Sequence, residues 1–130
     1  MSDTARLNEF GQPIGESLPG WTSPPEPPKA AVQGRYCSVQ PLVRADAPAL
    51  WEAYQRDADG RNWTYLASGP YTNFESFERW MIESSASSDP QFYAVGVRGA
   101  SSDAGQPEVA AGVAAYLRIT PAMGVIEVGH

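Results

Sequence analysis

The sequence predicts an α+β domain with a mainly antiparallel sheet, in the element order β-α-α-β-β-β. Three observations support this class: a first strand-like segment, two later runs of apolar residues at helical spacing, and then three alternating segments. The strand-like segments lie at 35–43, 91–97, 109–119 and 125–129. Because turns rather than helices separate the last three, we expect them to pair as antiparallel neighbours.

The first helix is predicted over 47–57. Asp46 is placed to cap its N-terminus, and Pro48 is tolerated in the first turn. One apolar stripe follows at helical spacing, made by Ala47, Leu50, Trp51 and Tyr54. This stripe predicts that Trp51 and Tyr54 pack at least partly on the core.

A second helix is predicted after Thr72, which forms a capping box with Glu75. Phe74, Phe77 and Met81 share one face of this helix, with Trp80 beside them. Small polar residues at 84–90 end it.

The long segment at 109–119 predicts a strand whose odd-numbered residues share one face. These residues are Val109, Ala111, Val113, Ala115, Leu117 and Ile119. Gly112, on the other face, indicates a bulge or a close backbone approach. A hairpin loop at 99–107 and a turn at 120–124 join this strand to its neighbours.

Residues 1–33 form a separate Pro-rich arm ahead of the domain at 34–130. The arm holds six of the twelve prolines and shows no periodicity, so we expect an extended chain. It also carries apolar residues, among them Phe10 and Trp21, which a disordered linker seldom has. We therefore expect the arm to lie on the domain and bury Trp21; the alternative is a flexible tail.

Composition excludes several function classes. A net charge of −6 argues against a nucleic-acid partner, which requires clustered basic residues. The single cysteine, Cys37, reads as an inert buried thiol, and no run of apolar residues is long enough for a membrane helix. One histidine and no cysteine pair give a metal site almost no support. The chain is therefore expected in the cytoplasm.

Several short segments, in this order, resemble the GNAT superfamily of N-acetyltransferases, in particular its ribosomal-protein N-acetyltransferase branch. They are GRYC at 34–37, LW at 50–51, WTYL at 63–66, GPY at 69–71, DPQFYAV at 89–95, GVAAYLRI at 112–119 and VIEVGH at 125–130. The arm segments NEFGQPIG and LPGW resemble the N-terminal extension of one subgroup. Together they cover about three quarters of the chain.

The resemblance implies the N-terminal half of a GNAT fold. In the family, a Gly-rich loop after the fourth strand binds the pyrophosphate of acetyl-CoA with backbone N–H groups at a helix N-terminus. The chain stops at His130, before that loop. We therefore expect either a truncated enzyme or a piece that works with another chain, and weak or no binding of acetyl-CoA by the chain alone.

The resemblance also implies roles at the last strand. Glu127 is the carboxylate that would accept the proton of the substrate amine, directly or through water. The backbone N–H of Val128, Gly129 or His130 would polarise the acetyl carbonyl of the co-substrate acetyl-CoA. From the residues alone, Glu127 could equally lie on a solvated strand face, and a lone histidine such as His130 is more often structural.

Aromatic residues are expected to line the amine acceptor pocket, which the family builds from its first two helices and their loop. They are Trp51, Tyr54, Trp63, Tyr65 and Tyr71, with Tyr116 as a further candidate; core packing is the alternative for each. Aromatic walls with polar edges suit a cationic or peptide-like amine. The acceptor itself stays open among a protein N-terminus, an aminoglycoside-like amine and a polyamine.

Two functions follow from the sequence. The first is acetyl transfer from acetyl-CoA to a primary amine, and the second is a non-catalytic GNAT-like module that binds a peptide or pairs with a partner chain. In either case the last strand leaves an open sheet edge beside an apolar face. We therefore expect a homodimer, or association through that edge or face, unless the Pro-rich arm covers it.

Overall fold

The computed structural model describes residues 5–98 and 108–130, which form an α+β fold, as predicted. Its elements are β1 Val32–Gln33, β2 Cys37–Pro41, α1 Ala47–Tyr54, α2 Phe74–Ala86, β3 Gln91–Val97, β4 Val109–Thr120 and β5 Val125–Gly129. The strands form one antiparallel sheet in the order β1-β2-β3-β4-β5. The predicted hairpin loop at 99–107 lies outside the described residues. No helix within the described ranges has the length and apolarity needed to cross a membrane.

Helix α1 buries the predicted stripe but is shorter than predicted. Ala47 and Leu50 are fully buried, and Trp51 and Tyr54 pack against the core from its edge. The helix ends at Tyr54 rather than at residue 57. Asp46 precedes it without a capping bond, because its carboxylate turns back and accepts the backbone N–H of Val43 at 3.1 Å. Asp46 is therefore the N-cap residue, as predicted, but its side chain does not cap the helix.

Helix α2 begins one residue later than the predicted capping box. Asn73 is the N-cap, and its side-chain oxygen accepts the backbone N–H of Ser76 at 2.8 Å. The capping box between Thr72 and Glu75 is therefore wrong, although Glu75 still lies in the first turn near the positive end of the helix dipole. The predicted face is confirmed, because Phe77 and Met81 are fully buried.

The core lies on one side of the sheet, here called the helix face. There α1 packs on β4 and α2 packs on β3. Its buried residues are Leu42, Ala47, Leu50, Phe77, Met81, Phe92, Ala94 and Ala115. Burying a large apolar side chain such as Phe77 contributes about 1.5 to 3 kcal/mol, so this cluster fixes the helices on the sheet. The opposite side, the far face, carries Tyr93 and Tyr116.

Strand β4 changes face at a bulge, as Gly112 indicated. Gly112 pairs with Val95 and Ala110 pairs with Gly96, so Ala111 is the extra residue. Beyond the bulge Ala110 packs on the core, while Val109 is half exposed. The predicted single face for all odd-numbered residues of this strand is therefore wrong, because an inserted residue reverses the alternation.

The second half of the Pro-rich arm lies on the domain. The carbonyls of Pro27 and Pro28 accept hydrogen bonds from the Gln91 side-chain amide at 2.9 Å and the Tyr93 hydroxyl at 3.3 Å. Val32 and Gln33 then join the sheet as β1. Trp21 lies against Gly124 but is 48% exposed, so its predicted burial is only partial.

Candidate functional site

Trp63 lies buried at the centre of an aromatic cluster on the helix face. Its ring centroid lies 5.2 Å from that of Tyr54, 5.6 Å from that of Tyr71 and 6.2 Å from that of Trp80. Gly69, with a φ of +74°, closes over the indole: a Cβ there would lie 2.3 Å from Cε3 of Trp63. Only glycine fits both this backbone conformation and this contact.

A first cavity lies on one side of this cluster, between α1 and the loop that follows it. Its volume is about 250 Å³. We call it the distal cavity, and the residues that define it are Trp51, Tyr54, Asp57, Asp59, Trp63 and Tyr71. It therefore combines aromatic walls with two carboxylates.

A second cavity, of about 310 Å³, reaches the end of β5. We call it the strand-end cavity; it is lined by Tyr54, Trp63, Trp80, Val113 and His130, among others. The imidazole of His130 packs against Phe92, with ring centroids 5.5 Å apart. The volume is at the lower end of those typical for small-ligand sites.

The two phenols of the distal cavity ionise at a higher pH than an exposed tyrosine does. Burial raises the pKa of Tyr54 to about 12, and it also raises the pKa of Tyr71, against a smaller opposing effect of a hydrogen bond with Ser68. Both hydroxyls, which like any phenol are protonated at neutral pH, therefore stay protonated to a higher pH than usual.

The two carboxylates differ in their partners. Arg61 contacts Asp59 through two nitrogens, at 2.9 and 2.6 Å, and this hydrogen bonding lowers the pKa of Asp59. Asp57 accepts the backbone N–H of Asn62 at 3.1 Å. The two aspartates therefore carry different effective charges toward a ligand.

Glu127, the predicted base, lies on β5 opposite Leu117. Its carboxylate pairs with the guanidinium of Arg118 at 2.7 Å, and its side chain is 46% exposed. It does not line either cavity on the helix face, whereas His130, three residues later, does. The structure thus brings the end of β5 to the aromatic cavities but leaves the side chain of Glu127 outside them.

The other predicted residues of β5 lie on different faces. Gly129 pairs with Ala115 on the helix face, whereas Val128 pairs with Tyr116 on the far face and is 71% exposed. Because β5 is the last strand of the described sheet, alternate backbone N–H groups of its residues point away from β4. These N–H groups are the part of β5 that could meet a ligand.

Four of the six predicted acceptor aromatics meet at the two cavities: Trp51, Tyr54, Trp63 and Tyr71. The other two lie elsewhere. Tyr65 is 97% exposed, and Tyr116 packs on Tyr93 across the far face, with ring centroids 5.5 Å apart. Trp80 and Val113 also line the strand-end cavity, and neither was predicted there, because a helix stripe and an alternating strand indicate packing rather than a site.

The far face carries a third cavity, which is apolar and has a volume of about 490 Å³. We call it the far-face groove; it is defined by Pro28, Val32, Tyr93, Tyr116, Ile126 and Val128. The arm supplies one wall and β4 and β5 supply the other. As for metals, the described parts of the chain contain no group of three His, Cys, Asp or Glu side chains placed to hold an ion.

Comparison with known proteins gives matches among solved structures only. No protein-family model and no curated protein matches the chain. A GCN5-related N-acetyltransferase from Brucella melitensis is 35% identical with a TM-score of 0.74, over 86% of this chain and 48% of that chain. A probable acetyltransferase of the GNAT family from Chromobacterium violaceum is 32% identical with a TM-score of 0.70, over 92% of this chain and 56% of that one.

The chain thus spans about half the length of the structures that it matches. Over that half, the two helices and the curled antiparallel sheet correspond to those of the two relatives. The described chain therefore has the α+β fold of GNAT-family acetyltransferases over about half of their length.

Proposed function

We propose that the chain forms the acceptor-binding half of an N-acetyltransferase, which moves an acetyl group from acetyl-CoA to a primary amine. The observation that carries the proposal is the strand-end cavity, where the aromatic cluster around Trp63 meets the end of β5. The similarity to two acetyltransferase structures supports the reaction class. The finer assignment to the ribosomal-protein branch is based on the sequence resemblance alone.

Acetyl transfer to an amine exchanges one bond for another and requires a proton acceptor and a hydrogen-bond donor. The amine nitrogen forms a bond to the thioester carbonyl carbon, the carbon–sulfur bond breaks, and the thiolate of CoA leaves and takes up a proton. The amine must also lose a proton, which we assign to Glu127 acting through water, since its carboxylate lies outside the cavity. The negative charge that develops on the carbonyl oxygen requires a donor, for which the backbone N–H groups of Val128, Gly129 and His130 are candidates.

The open edge of β5 suits the co-substrate. An extended molecule that carries amide groups can pair with unpaired backbone N–H and C=O groups in the same way as an added strand. The resemblance places the pyrophosphate-binding loop after this strand, outside these 130 residues. We therefore propose that the chain by itself binds acetyl-CoA weakly and is inactive.

A fusion protein tests the proposed function. Residues 5–130 would be joined to the part of the Brucella melitensis protein that the similarity leaves uncovered, and release of free CoA thiol would be measured with added primary amines. We expect amine-dependent thiol release. A folded fusion that binds acetyl-CoA but acetylates no amine in a broad panel would contradict the proposal.

Two matched substitutions on β4 locate the acceptor site in that fusion. Val113 lines the strand-end cavity, so Val113→Phe should fill it and raise the KM for the amine about tenfold. Val109 lies on the same strand beyond the bulge and is half exposed, so Val109→Phe should leave KM unchanged. Equal effects of the two substitutions would move the acceptor away from this cavity.

A further inference from the structure

The ring pair of Tyr54 and Trp63 is the wall between the two cavities on the helix face. Both residues line the distal cavity and the strand-end cavity. Their rings meet edge to face, with centroids 5.2 Å apart and planes at 73°. A ligand that extends past this pair therefore occupies two compartments with different chemistry.

The distal cavity has two carboxylates, and in the described part of the chain only one cation forms an ion pair with either of them. The charge of Asp59 is balanced by Arg61, which forms an ion pair with it at 2.6 Å. Asp57 takes part in no ion pair within residues 5–98 and 108–130; its carboxylate accepts the backbone N–H of Asn62 and lies near enough to Arg61 to feel its charge. The distal cavity therefore presents a net negative charge.

Aromatic rings beside this carboxylate favour a cation. The faces of Trp and Tyr rings attract an ammonium group, most strongly where water is partly excluded. Trp51, Trp63 and Tyr71 supply such rings in the distal cavity, and the neutral phenol of Tyr54 adds a polar edge. A positively charged group is thus the ligand that this compartment suits.

The strand-end cavity has the opposite requirement. An amine attacks a thioester only as the neutral base, so the compartment that meets β5 has to accept an uncharged nitrogen. Its walls include Trp63, Trp80 and Val113, and no Asp or Glu side chain of the described residues lines it. The distal cavity therefore suits a charged amino group and the strand-end cavity an uncharged one.

We propose that the acceptor is dibasic: one amine reacts in the strand-end cavity while a second, charged amino group of the same molecule is held in the distal cavity by Asp57 and the surrounding rings. The inference rests on the proposed function and adds the substrate class to it. A diamine, a polyamine or a peptide with a basic residue near its N-terminus has this chemistry.

Acetylation of simple amines by the folded fusion protein described above tests the proposal. The probes are cadaverine, which carries an amino group at each end of five carbons, and pentylamine, which carries one. Pentylamine can place its amine in the strand-end cavity only with its methyl end in the distal cavity, where Asp57 and the rings then have no cation to hold. We expect kcat/KM for cadaverine to exceed that for pentylamine about five- to tenfold, and by less in high salt.

Two variants with the same change in net charge identify the residue responsible. Asp57→Asn should abolish the preference for cadaverine, since the amide oxygen keeps the bond to Asn62 but carries no charge. Glu9→Gln, on the exposed part of the arm, should retain the preference. Equal kcat/KM for the two amines in the unsubstituted fusion would overturn the dibasic acceptor and leave the proposed function standing, whereas a folded fusion that binds acetyl-CoA and acetylates neither amine would count against both.

Discussion

The carboxylate of Asp89 accepts the backbone N–H of Arg118 at 2.9 Å, although 29 residues separate them in the chain. It also accepts the N–H of Ile119 at 3.0 Å. Between β4 and β5 the register shifts at this point, and Arg118 has a φ of +49°. Asp89 therefore accepts the two backbone N–H groups that do not pair with β5. It also stabilises the bulge at Arg118, whose side chain forms the ion pair with Glu127.

Removing this carboxylate should destabilise the fold. We expect Asp89→Ala to lower the free energy of unfolding by about 2 kcal/mol, because two backbone donors lose a charged acceptor. Asp89→Asn keeps one acceptor oxygen and should cost about half as much. Urea unfolding measures both, and an exposed carboxylate on the arm, changed by Glu9→Ala, is the control expected to show no effect. An Asp89→Ala chain as stable as the original would mean that water replaces the carboxylate.

The raised pKa of Tyr54 predicts a loss of stability at high pH. Burial moves the pKa of the folded phenol from 10.0 to about 12, so the fold favours the neutral form. Below pH 10 the phenol is neutral in both the folded and the unfolded chain. As the pH rises from 10 to about 12 the phenol ionises in the unfolded chain first, which lowers the free energy of unfolding by about 2 kcal/mol. Urea unfolding at pH values below and above this window measures the loss.

Tyr54→Phe provides the control for that experiment. The ring stays in place and the titrating hydroxyl is gone, so the loss of stability across this window should shrink. Tyr71 and Tyr93 also have raised pKa values through burial, so a smaller residual loss is expected. An unchanged pH dependence in Tyr54→Phe would assign the effect to those two residues instead.

Glu127→Gln should slow acetyl transfer in the fusion enzyme described above. If the carboxylate accepts the proton of the amine, the rate should fall about 100-fold, most at low pH, where the amine is hardest to deprotonate. The ion pair with Arg118 makes Arg118→Gln the informative companion, because it changes the partner of Glu127 without removing the base. An unaltered pH–rate profile in Glu127→Gln would show that this carboxylate is only a structural ion-pair partner.

The exposed edge of β5 predicts association of the isolated chain. Ile126 and Val128 are 47% and 71% exposed beside the far-face groove, and β5 has one unpaired edge in the described sheet. Light scattering after size exclusion at micromolar concentration should therefore give a dimer or a larger species. Val128→Lys should shift it toward monomer, whereas Val109→Lys should not. A stable monomer of the unsubstituted chain would show that the arm covers enough of the far face.

The elements of this fold were largely visible in the sequence, because alternation and helical spacing are local properties. The order of the two helices and the four longer strands was predicted, as were Phe77 and Met81 in the core, whereas the short strand β1 in the arm was not. The predictions of the helix caps were wrong where a competing contact decides the local structure. Asp46 bonds back to Val43 rather than forward to the helix, and Asn73 caps α2 in place of Thr72.

The candidate site was predictable in part for the same reason. Helical spacing placed Trp51 and Tyr54 beside the core, but no local pattern shows that Gly69 closes over Trp63 and fixes the wall between two cavities. The side of the sheet on which Tyr116 lies follows from its pairing with Gln91 and Val128. Pairing of this kind depends on strand register, which a single sequence does not reveal around bulges.

The position of Trp21 against Gly124 has a consequence for how the chain folds. The contact closes a loop of about a hundred residues. The chain loses the entropy of closing this loop before the contact contributes any stabilising free energy. The turn at Gly124 must also form before the indole of Trp21 can pack against it. The arm should therefore dock late in folding and detach first in partial unfolding, so that Trp21 fluorescence reports a separate, early step when the protein is denatured.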